Sequence, residues 1–236
     1  MIPLRDDNPT TLKPYVTITL IVLCVVVFLW QLSLGPGGER AIYGLGVIHA
    51  VLFDSKHLSP DVVMVPPAAT VVTSMFLHGG LMHLIGNMLY LWIFGNNVED
   101  AMGHARFVVF YLLCGIAAVL AQALPNPQST IPMVGASGAI SGVLGAYLLL
   151  YPHARVLVAI PLGFYLYTPK LPAAWVLVFW FVMQLLSGAL AGAQEGGVAF
   201  HAHVGGFIAG AILILFFRRR GVRLFNPGHH YPRTEE

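Results

Sequence analysis

The amino-acid sequence predicts an all-α membrane protein that crosses the bilayer six times. Of its 236 residues, 57% are hydrophobic and only 9% are charged, whereas about a quarter of the residues in a soluble domain carry a charge. The mean hydropathy is +0.77, and several long runs carry no charge at all. This composition excludes a water-soluble globule, and a net charge of only +2 gives no electrostatic basis for binding nucleic acid.

Apolar runs of about 17 to 25 residues are long enough to cross a bilayer as helices. The sequence contains six such runs, near Tyr15–Leu34, Gly80–Phe94, Phe107–Leu124, Val134–Tyr151, Pro172–Leu190 and Ala199–Phe217. The first run is long for a signal peptide and has no clean cleavage site after it, so we expect a retained helix. The segment Gly35–Gly79 is too irregular to span and too apolar for a free linker. We expect it to rest on or partly in the outer leaflet.

The basic residues orient this topology. Ten of the twelve Lys and Arg residues fall on the side of the termini, and only Arg40 and Lys56 fall on the other. By the positive-inside rule, we expect both termini in the cytoplasm. We expect the membrane itself to be a bacterial plasma membrane. The expected organisation is a cytoplasmic N-terminus (1–14), a membrane domain (15–217) with an outer loop (35–79), and a basic, polar tail (218–236).

Polar groups inside a membrane span are costly, so they mark candidate sites. Three groups lie in the outer halves of the second, fourth and sixth spans, at similar depth. They are His78, His83 and Asn87; Gly135, Ser137 and Gly138; and His201, His203, Gly206 and Gly210. Glu99, Asp100 and Arg106 lie near the opposite end of the second and third spans, where we expect a solvated turn.

Two glycine stripes predict a close contact between the fourth and sixth helices. Gly138 and Gly142 are four residues apart, as are Gly206 and Gly210, so each pair lies on one helical face. Small residues at this spacing let helix backbones approach closely in a membrane. Taken alone, such a stripe is more often a packing surface than part of a catalytic site.

The stripes also predict a nucleophile and its base. If they meet, Ser137 and His203 come within hydrogen-bond reach, which is how an imidazole activates a hydroxyl. His201, two positions away, points to the other side and is the weaker candidate. No carboxylate accompanies the pair, since the nearest one, Glu195, falls in an outer turn, so a dyad is favoured over a triad.

His83 and Asn87 are candidates for oxyanion stabilisation. They are four residues apart on one helical face, so both can direct N–H donors to one point. The backbone N–H of Ser137, at a helix N-terminus, would add a third donor.

Together these segments resemble the rhomboid family of intramembrane serine proteases. The order H-x4-H-x3-N (His78, His83, Asn87), G-x-S-G (Gly135 to Gly138) and A-H-x2-G-x3-G (Ala202 to Gly210) is similar to the motifs of that family. The resemblance covers Val71 to about Phe217.

The resemblance implies a six-helix rhomboid-like bundle and a role for each matching residue. Ser137 would be the nucleophile, His203 the base, and His83 and Asn87 the oxyanion donors. His78, Gly135, Gly138, Gly206 and Gly210 would have supporting roles, and Glu99 and Arg106 would match a structural polar patch. The implied reaction is hydrolysis of a peptide bond in or next to a transmembrane segment of a single-span protein, without metal or cofactor.

Two positions depart from the family pattern. Many members carry a Trp-Arg pair in the outer loop where this chain has Ala69-Thr70. Many also carry a Tyr four residues after the nucleophile, which stacks on the catalytic His, whereas this chain has Ser141. Close packing of the glycine stripes, with a hydrogen bond from Ser141 or a bridging water, is the expected means of holding His203.

Two alternatives belong to other functional classes. A non-catalytic rhomboid-like protein that binds transmembrane helices would lack the nucleophile or the base, and this chain has both. A metal transporter or metalloenzyme would use His78, His83, His201 and His203, since imidazole binds several transition metals. No acidic ligand accompanies these histidines. Oligomeric state has no signature in the sequence.

Overall fold

A computed structural model describes residues 1–191 and 199–226. Its elements, in chain order, are β1 (Ile2–Asp6), α1 (Tyr15–Ser33), α2 (Gly38–Leu45), α3 (His49–Leu52), α4 (Pro67–Thr73), α5 (Leu81–Met102), α6 (His104–Ala123), α7 (Ser137–Leu150), β2 (Arg155–Leu162), β3 (Tyr165–Tyr167), β4 (Lys170–Pro172), α8 (Ala173–Ala191) and α9 (Phe200–Phe217). Short 3₁₀ turns at Gly35–Gly37 and Ser74–Phe76 lie between them.

The protein is a multi-pass integral membrane protein. Within the described residues, four helices are long and apolar enough to cross a membrane, namely α1, α6, α8 and α9. The segment Pro67–Phe76 and α5 together meet the same test as a fifth, but they are bent by 81° where they join. The remaining expected span, α7, has only 14 residues. By length and composition alone, the described residues therefore contain four or five candidate spans, not the six that the sequence predicts.

Helix α7 forms the centre of the bundle. Nearly all of its residues are buried, because α5, α6 and α9 pack around it and α8 adds a further contact. Phe94 of α5 and Tyr147 of α7 meet edge to face, with ring centroids 4.9 Å apart. By contrast, α8 is largely exposed along its length. The bundle thus has a rigidly enclosed helix beside a loosely packed one.

The predicted solvated turn at Glu99 and Asp100 is wrong. Helix α5 continues through both residues to Met102, and the side chain of Glu99 is 0% exposed. Its carboxylate accepts the backbone N–H groups of Val16 and Thr17 at 2.9 and 2.8 Å and the Thr17 hydroxyl at 2.7 Å. Glu99 therefore caps the start of α1, where the first N–H groups have no partner within the helix.

Asp100 connects the segment before α1 to the segment after α9. Its carboxylate accepts the backbone N–H and hydroxyl of Thr11, both at 2.8 Å. It also forms an ion pair with Arg219, which follows α9, at 3.1 Å. The segments before α1 and after α9 consequently lie at the same end of the bundle.

A small antiparallel sheet at this end corrects the all-α prediction. β2 pairs with β1 along Val156–Ala159, and β3 and β4 pair with successive parts of β2. Val156 and Val158 of β2 are fully buried. The sheet ties the N-terminal residues to the connection between α7 and α8.

The predicted outer segment contains α2, α3, α4 and the two 3₁₀ turns. A bridge between Val47 and Met133 connects it to the loop before α7. On its inner side, the Gln31 side chain of α1 bonds both the N–H and the carbonyl of His78, at 3.0 and 3.2 Å. These contacts fix the segment against the start of α5. Its predicted position in the outer leaflet stays a prediction.

The predicted tail, 218–236, is described only in part. Phe225 and Asn226 donate backbone hydrogen bonds to Leu149 and Leu150, at 2.7 and 2.9 Å, so this portion packs under the end of α7. Residues 227–236 and the expected outer turn with Glu195 lie outside the described residues.

Asp6 of β1 generates a prediction about pH and stability. Its carboxylate accepts the Tyr147 hydroxyl at 2.6 Å, but burial is the largest effect and raises the pKa of Asp6 from 3.8 to about 6. The folded state therefore holds this proton more tightly than the unfolded state. The stabilisation is full below about pH 4 and is lost as pH rises through about 6, by up to about 3 kcal/mol.

The matched control is Asp6→Asn, which retains an acceptor for Tyr147 but does not titrate. We expect the free energy of unfolding in detergent to fall more steeply for the wild type than for Asp6→Asn between pH 4 and 7. A difference between the two proteins that stays constant with pH would contradict this prediction.

Candidate active site

The two glycine stripes meet between α7 and α9. A Cβ atom placed on Gly206 would collide with the carbonyl oxygen of Gly138, and one on Gly210 would collide with that of Gly142. Gly206 and Gly210 of α9 thus each lie directly against a backbone carbonyl of α7, with the same spacing of four residues on both helices. This is the close contact that the sequence predicts.

This contact brings Ser137 and His203 together. The Nε2 atom of His203 lies 2.8 Å from the Oγ atom of Ser137, which is hydrogen-bond distance. The His203 side chain is buried, whereas His201 is exposed on the same helix. The pairing expected from the stripes is therefore observed, and His201 takes no part in it.

Ser137 occupies the first position of α7. Gly135, two residues earlier, has φ = +124°, a backbone conformation that favours glycine. Its N–H donates to the carbonyl of Ser74 at 2.9 Å. The turn at Gly135 thus ends the loop abruptly and starts the helix at Ser137, with the free N–H groups of the first helical turn beside the hydroxyl.

His83 and Asn87 lie beside this turn, on α5. A Cβ on Gly135 would lie 2.7 Å from Cε1 of His83 and 3.7 Å from Oγ of Ser137, so the imidazole and the hydroxyl flank the same glycine. The Asn87 side chain is buried, and its Nδ2 has no hydrogen-bond partner among the described residues. A buried amide donor without a partner is costly. It is available to an acceptor that enters the site.

His78 supports His83 from behind. Their rings meet edge to face, with centroids 5.3 Å apart, and the His78 backbone is held by Gln31 as described above. Among the described residues, His78 forms no hydrogen bond with Ser137. Its Nδ1 faces the carbonyl of Phe76 at 3.3 Å. The structure thus places His78 next to the site rather than in it.

The proposed hydrogen bond from Ser141 to His203 is not present. The Ser141 hydroxyl donates instead to the carbonyl of Ser137, one turn back, at 2.6 Å. Serine commonly makes this local bond within a helix. Ser141 therefore does not orient the imidazole.

Two residues of α8 contact His203 instead, and neither was predicted from the sequence. The Oε1 atom of Gln184 lies 2.8 Å from Nδ1 of His203. The ring centroid of Trp180 lies 5.8 Å from that of the imidazole. A glutamine inside an apolar span was itself a signal, because membrane amides require partners.

The described residues form no cluster suited to a metal ion. Among residues 1–191 and 199–226, no group of three or more His, Cys, Asp or Glu side chains lies together in a way that could hold one. His78 and His83 are neighbours, but His201 is exposed on α9.

The α7–α9 contact generates a prediction with two variants. Gly206→Val would push the Gly138 carbonyl away and separate Ser137 from His203. We expect labelling of Ser137 by a serine-directed fluorophosphonate to fall sharply in the folded fraction. Ser141→Ala should lose little labelling, because it removes one neutral hydrogen bond, which contributes about 0.5–1.5 kcal/mol to stability.

Labelling rates and thermal unfolding of both variants check this. A stable Gly206→Val protein that labels at the wild-type rate would show that helix proximity does not position the imidazole. An unlabelled but stable Ser141→Ala protein would show that the hydroxyl has a role that the structure does not assign to it.

Comparison with known proteins identifies the family. The Rhomboid domain family matches residues 66–220, more than half of the chain. Rhomboid protein 1, mitochondrial, of Saccharomyces cerevisiae is 31% identical over 75% of this chain and 50% of its own length. RHOMBOID-like protein 1 of Arabidopsis thaliana is 30% identical over 82% of this chain and 46% of its own length.

A bacterial relative carries the word protease in its name. Rhomboid protease GluP of Bacillus subtilis is 44% identical over 33% of this chain and 15% of its own length. The chain spans half or less of the length of these curated relatives. With the motifs, the helical bundle and the matched region in agreement, the chain belongs to the rhomboid family.

Proposed function

We propose that the protein is an intramembrane serine protease that hydrolyses peptide bonds in or near transmembrane segments. The observation that carries this proposal is the 2.8 Å distance between Ser137 Oγ and His203 Nε2. A serine and a buried imidazole at this distance form the arrangement in which a hydroxyl becomes a nucleophile. Relatives named as proteases, in Bacillus subtilis and Toxoplasma gondii, give further support.

In the proposed first step, Ser137 Oγ attacks the carbonyl carbon of the scissile bond while Nε2 of His203 accepts the hydroxyl proton. The tetrahedral intermediate then collapses, the C–N bond breaks, and the imidazolium donates its proton to the leaving amine. An acyl-enzyme ester on Ser137 results. Water, activated by the same imidazole, hydrolyses this ester and releases the carboxyl product.

The negative charge of the intermediate requires donors. The candidates are the unpaired Nδ2 of Asn87, the imidazole of His83 and the backbone N–H of Ser137 at the start of α7. Donors fixed in place before the reaction stabilise an oxyanion strongly in a site of low dielectric constant. Of these, the Asn87 amide is the donor most directly indicated, because its buried Nδ2 has no hydrogen-bond partner among the described residues.

The proposed substrates are single-span membrane proteins. In hydrocarbon, backbone polar groups stay bonded within a helix, so a substrate helix has to unwind locally before its carbonyl reaches Ser137. Segments rich in residues of low helix propensity unwind most readily. We therefore expect glycine and serine near the cut.

The proposed location is a bacterial plasma membrane with both termini cytoplasmic and six spans in all. In this arrangement the bent segment with α5 counts as one span and the short α7 as another. The excess of basic residues near the terminal side of the spans supports this orientation. It puts the sheet in the cytoplasm and the Ser137 end of the bundle towards the outer face.

The dyad generates a prediction about non-additivity. Ser137→Ala and His203→Ala should each reduce cleavage of a model transmembrane substrate, and fluorophosphonate labelling, to background. The double variant should be no worse than either single one, because groups that act as a unit lose their effect together. His201→Ala, on an exposed neighbour, is the control and should retain activity.

Two results would contradict the assignment. Near-normal turnover in His203→Ala with a dead His201→Ala protein would make His201 the base. A wild-type protein that neither labels nor cleaves, but binds transmembrane helices, would point to the non-catalytic alternative.

Asn87 generates a separate prediction. Loss of one oxyanion donor typically costs about 10²–10³ in rate, while the other donors would remain. We therefore expect Asn87→Ala to lower kcat by about this factor, with KM little changed and with activity still above that of Ser137→Ala. Ile85→Ala, at an exposed site on the same helix, serves as the control. Unchanged turnover in folded Asn87→Ala protein would remove this residue from the site.

A further inference from the structure

Gln184 is an amide inside an otherwise apolar helix. It lies in the middle of α8, which carries no charged residue and has a mean hydropathy of 1.9 over Ala173–Leu190. A primary amide at this depth is expensive unless it is bonded. Its Oε1 atom lies 2.8 Å from Nδ1 of His203, so the partner is the imidazole next to Ser137.

The two hydrogen bonds of His203 fit only one direction of proton donation. For the Ser137 hydroxyl to donate to Nε2, that nitrogen must carry no proton, and the proton of the neutral imidazole is then on Nδ1. The amide oxygen of Gln184 can only accept. The hydrogen bonds therefore run from Ser137 to His203 and from His203 to Gln184. They require the neutral imidazole with its proton on Nδ1, which is the tautomer that a general base at Nε2 requires.

Trp180 bounds the same imidazole from one turn earlier on α8. Its ring lies 5.8 Å from the His203 ring at an interplanar angle of 38°. It also stacks on Phe207 of α9, 6.2 Å away at 27°. Helix α8 thus supplies both a hydrogen-bond acceptor and an aromatic neighbour to the imidazole. This aromatic neighbour is relevant because Ser141 stands where many rhomboid proteins have a tyrosine that stacks on the histidine.

We infer that Gln184 is a positioning residue that fixes the tautomer and ring orientation of His203, with Trp180 limiting rotation of the ring. Gln184 takes the place that a carboxylate has in a Ser-His-Asp triad, but as a neutral acceptor. The inference rests on the proposed function, because it assigns a partner to the proposed base.

The experiment compares three variants by kcat, KM and the rate of fluorophosphonate labelling. Gln184→Leu removes the acceptor at similar volume and leaves Nδ1–H unpaired, which favours the tautomer with the proton on Nε2. We expect kcat and the labelling rate to fall about 10- to 100-fold, with KM and thermal stability little changed; the loss of Asp in a true triad costs about 10⁴. Gln184→Glu keeps an acceptor oxygen and should restore most of the rate.

The matched control is Leu185→Ala, on the adjacent exposed position of α8, which should retain kcat. Wild-type kcat in folded Gln184→Leu would overturn the inference. So would an equal loss in Gln184→Leu and Gln184→Glu accompanied by a lower unfolding temperature, since that pattern indicates packing alone.

The inference and the proposed function fail in different ways. If Ser137→Ala labels and cleaves like the wild type, the proposed function is wrong and Gln184 has no base to position. If Ser137→Ala is inactive while Gln184→Leu is fully active, only the inference is wrong.

Discussion

The contact of α9 glycines with α7 carbonyls is the constraint on which the site depends. Gly206 and Gly210 leave no room for a Cβ against Gly138 and Gly142, so the two backbones lie as close as helices can. Lipid provides little hydrophobic drive for helices to associate, and small residues allow the dispersion contacts that replace it. The approach fixes the relative height of the two helices, and with it the distance between Ser137 and His203.

The contact between α7 and α9 could be predicted from the sequence. Glycine spacing on a helix is a local property. Because Ser137 lies at the start of the α7 stripe and His203 at the start of the α9 stripe, two stripes that match are sufficient to predict that the pair meets. The prediction that His83 and Asn87 share one face of α5 rests on the same helical period, because they are four residues apart. Each of these predictions needs only the helical period and the cost of polar groups in lipid.

The features that the sequence did not predict arise from distant partners. Glu99 and Asp100 look like the polar end of a span, yet α5 continues through them because the start of α1 supplies N–H groups to Glu99. Strand β2 was missed because its pairing partner, β1, is about 150 residues earlier in the chain. Gln184 lies in a run that otherwise fits a plain membrane helix, and its contact with His203 depends on how α8 packs against α9.

The short length of α7 has a consequence for how the protein responds to its membrane. Fourteen residues extend about 21 Å, and the hydrocarbon core of a bilayer is about 30 Å thick. In the proposed orientation, the sheet and the tail hold the Leu150 end of α7 near the cytoplasmic interface, so the Ser137 end stops short of the outer one. Bilayer thickness then sets the depth of Ser137 beneath the outer surface. For the proposed protease, lipids with longer acyl chains would move the reachable bond deeper into a substrate helix, without any change in the protein.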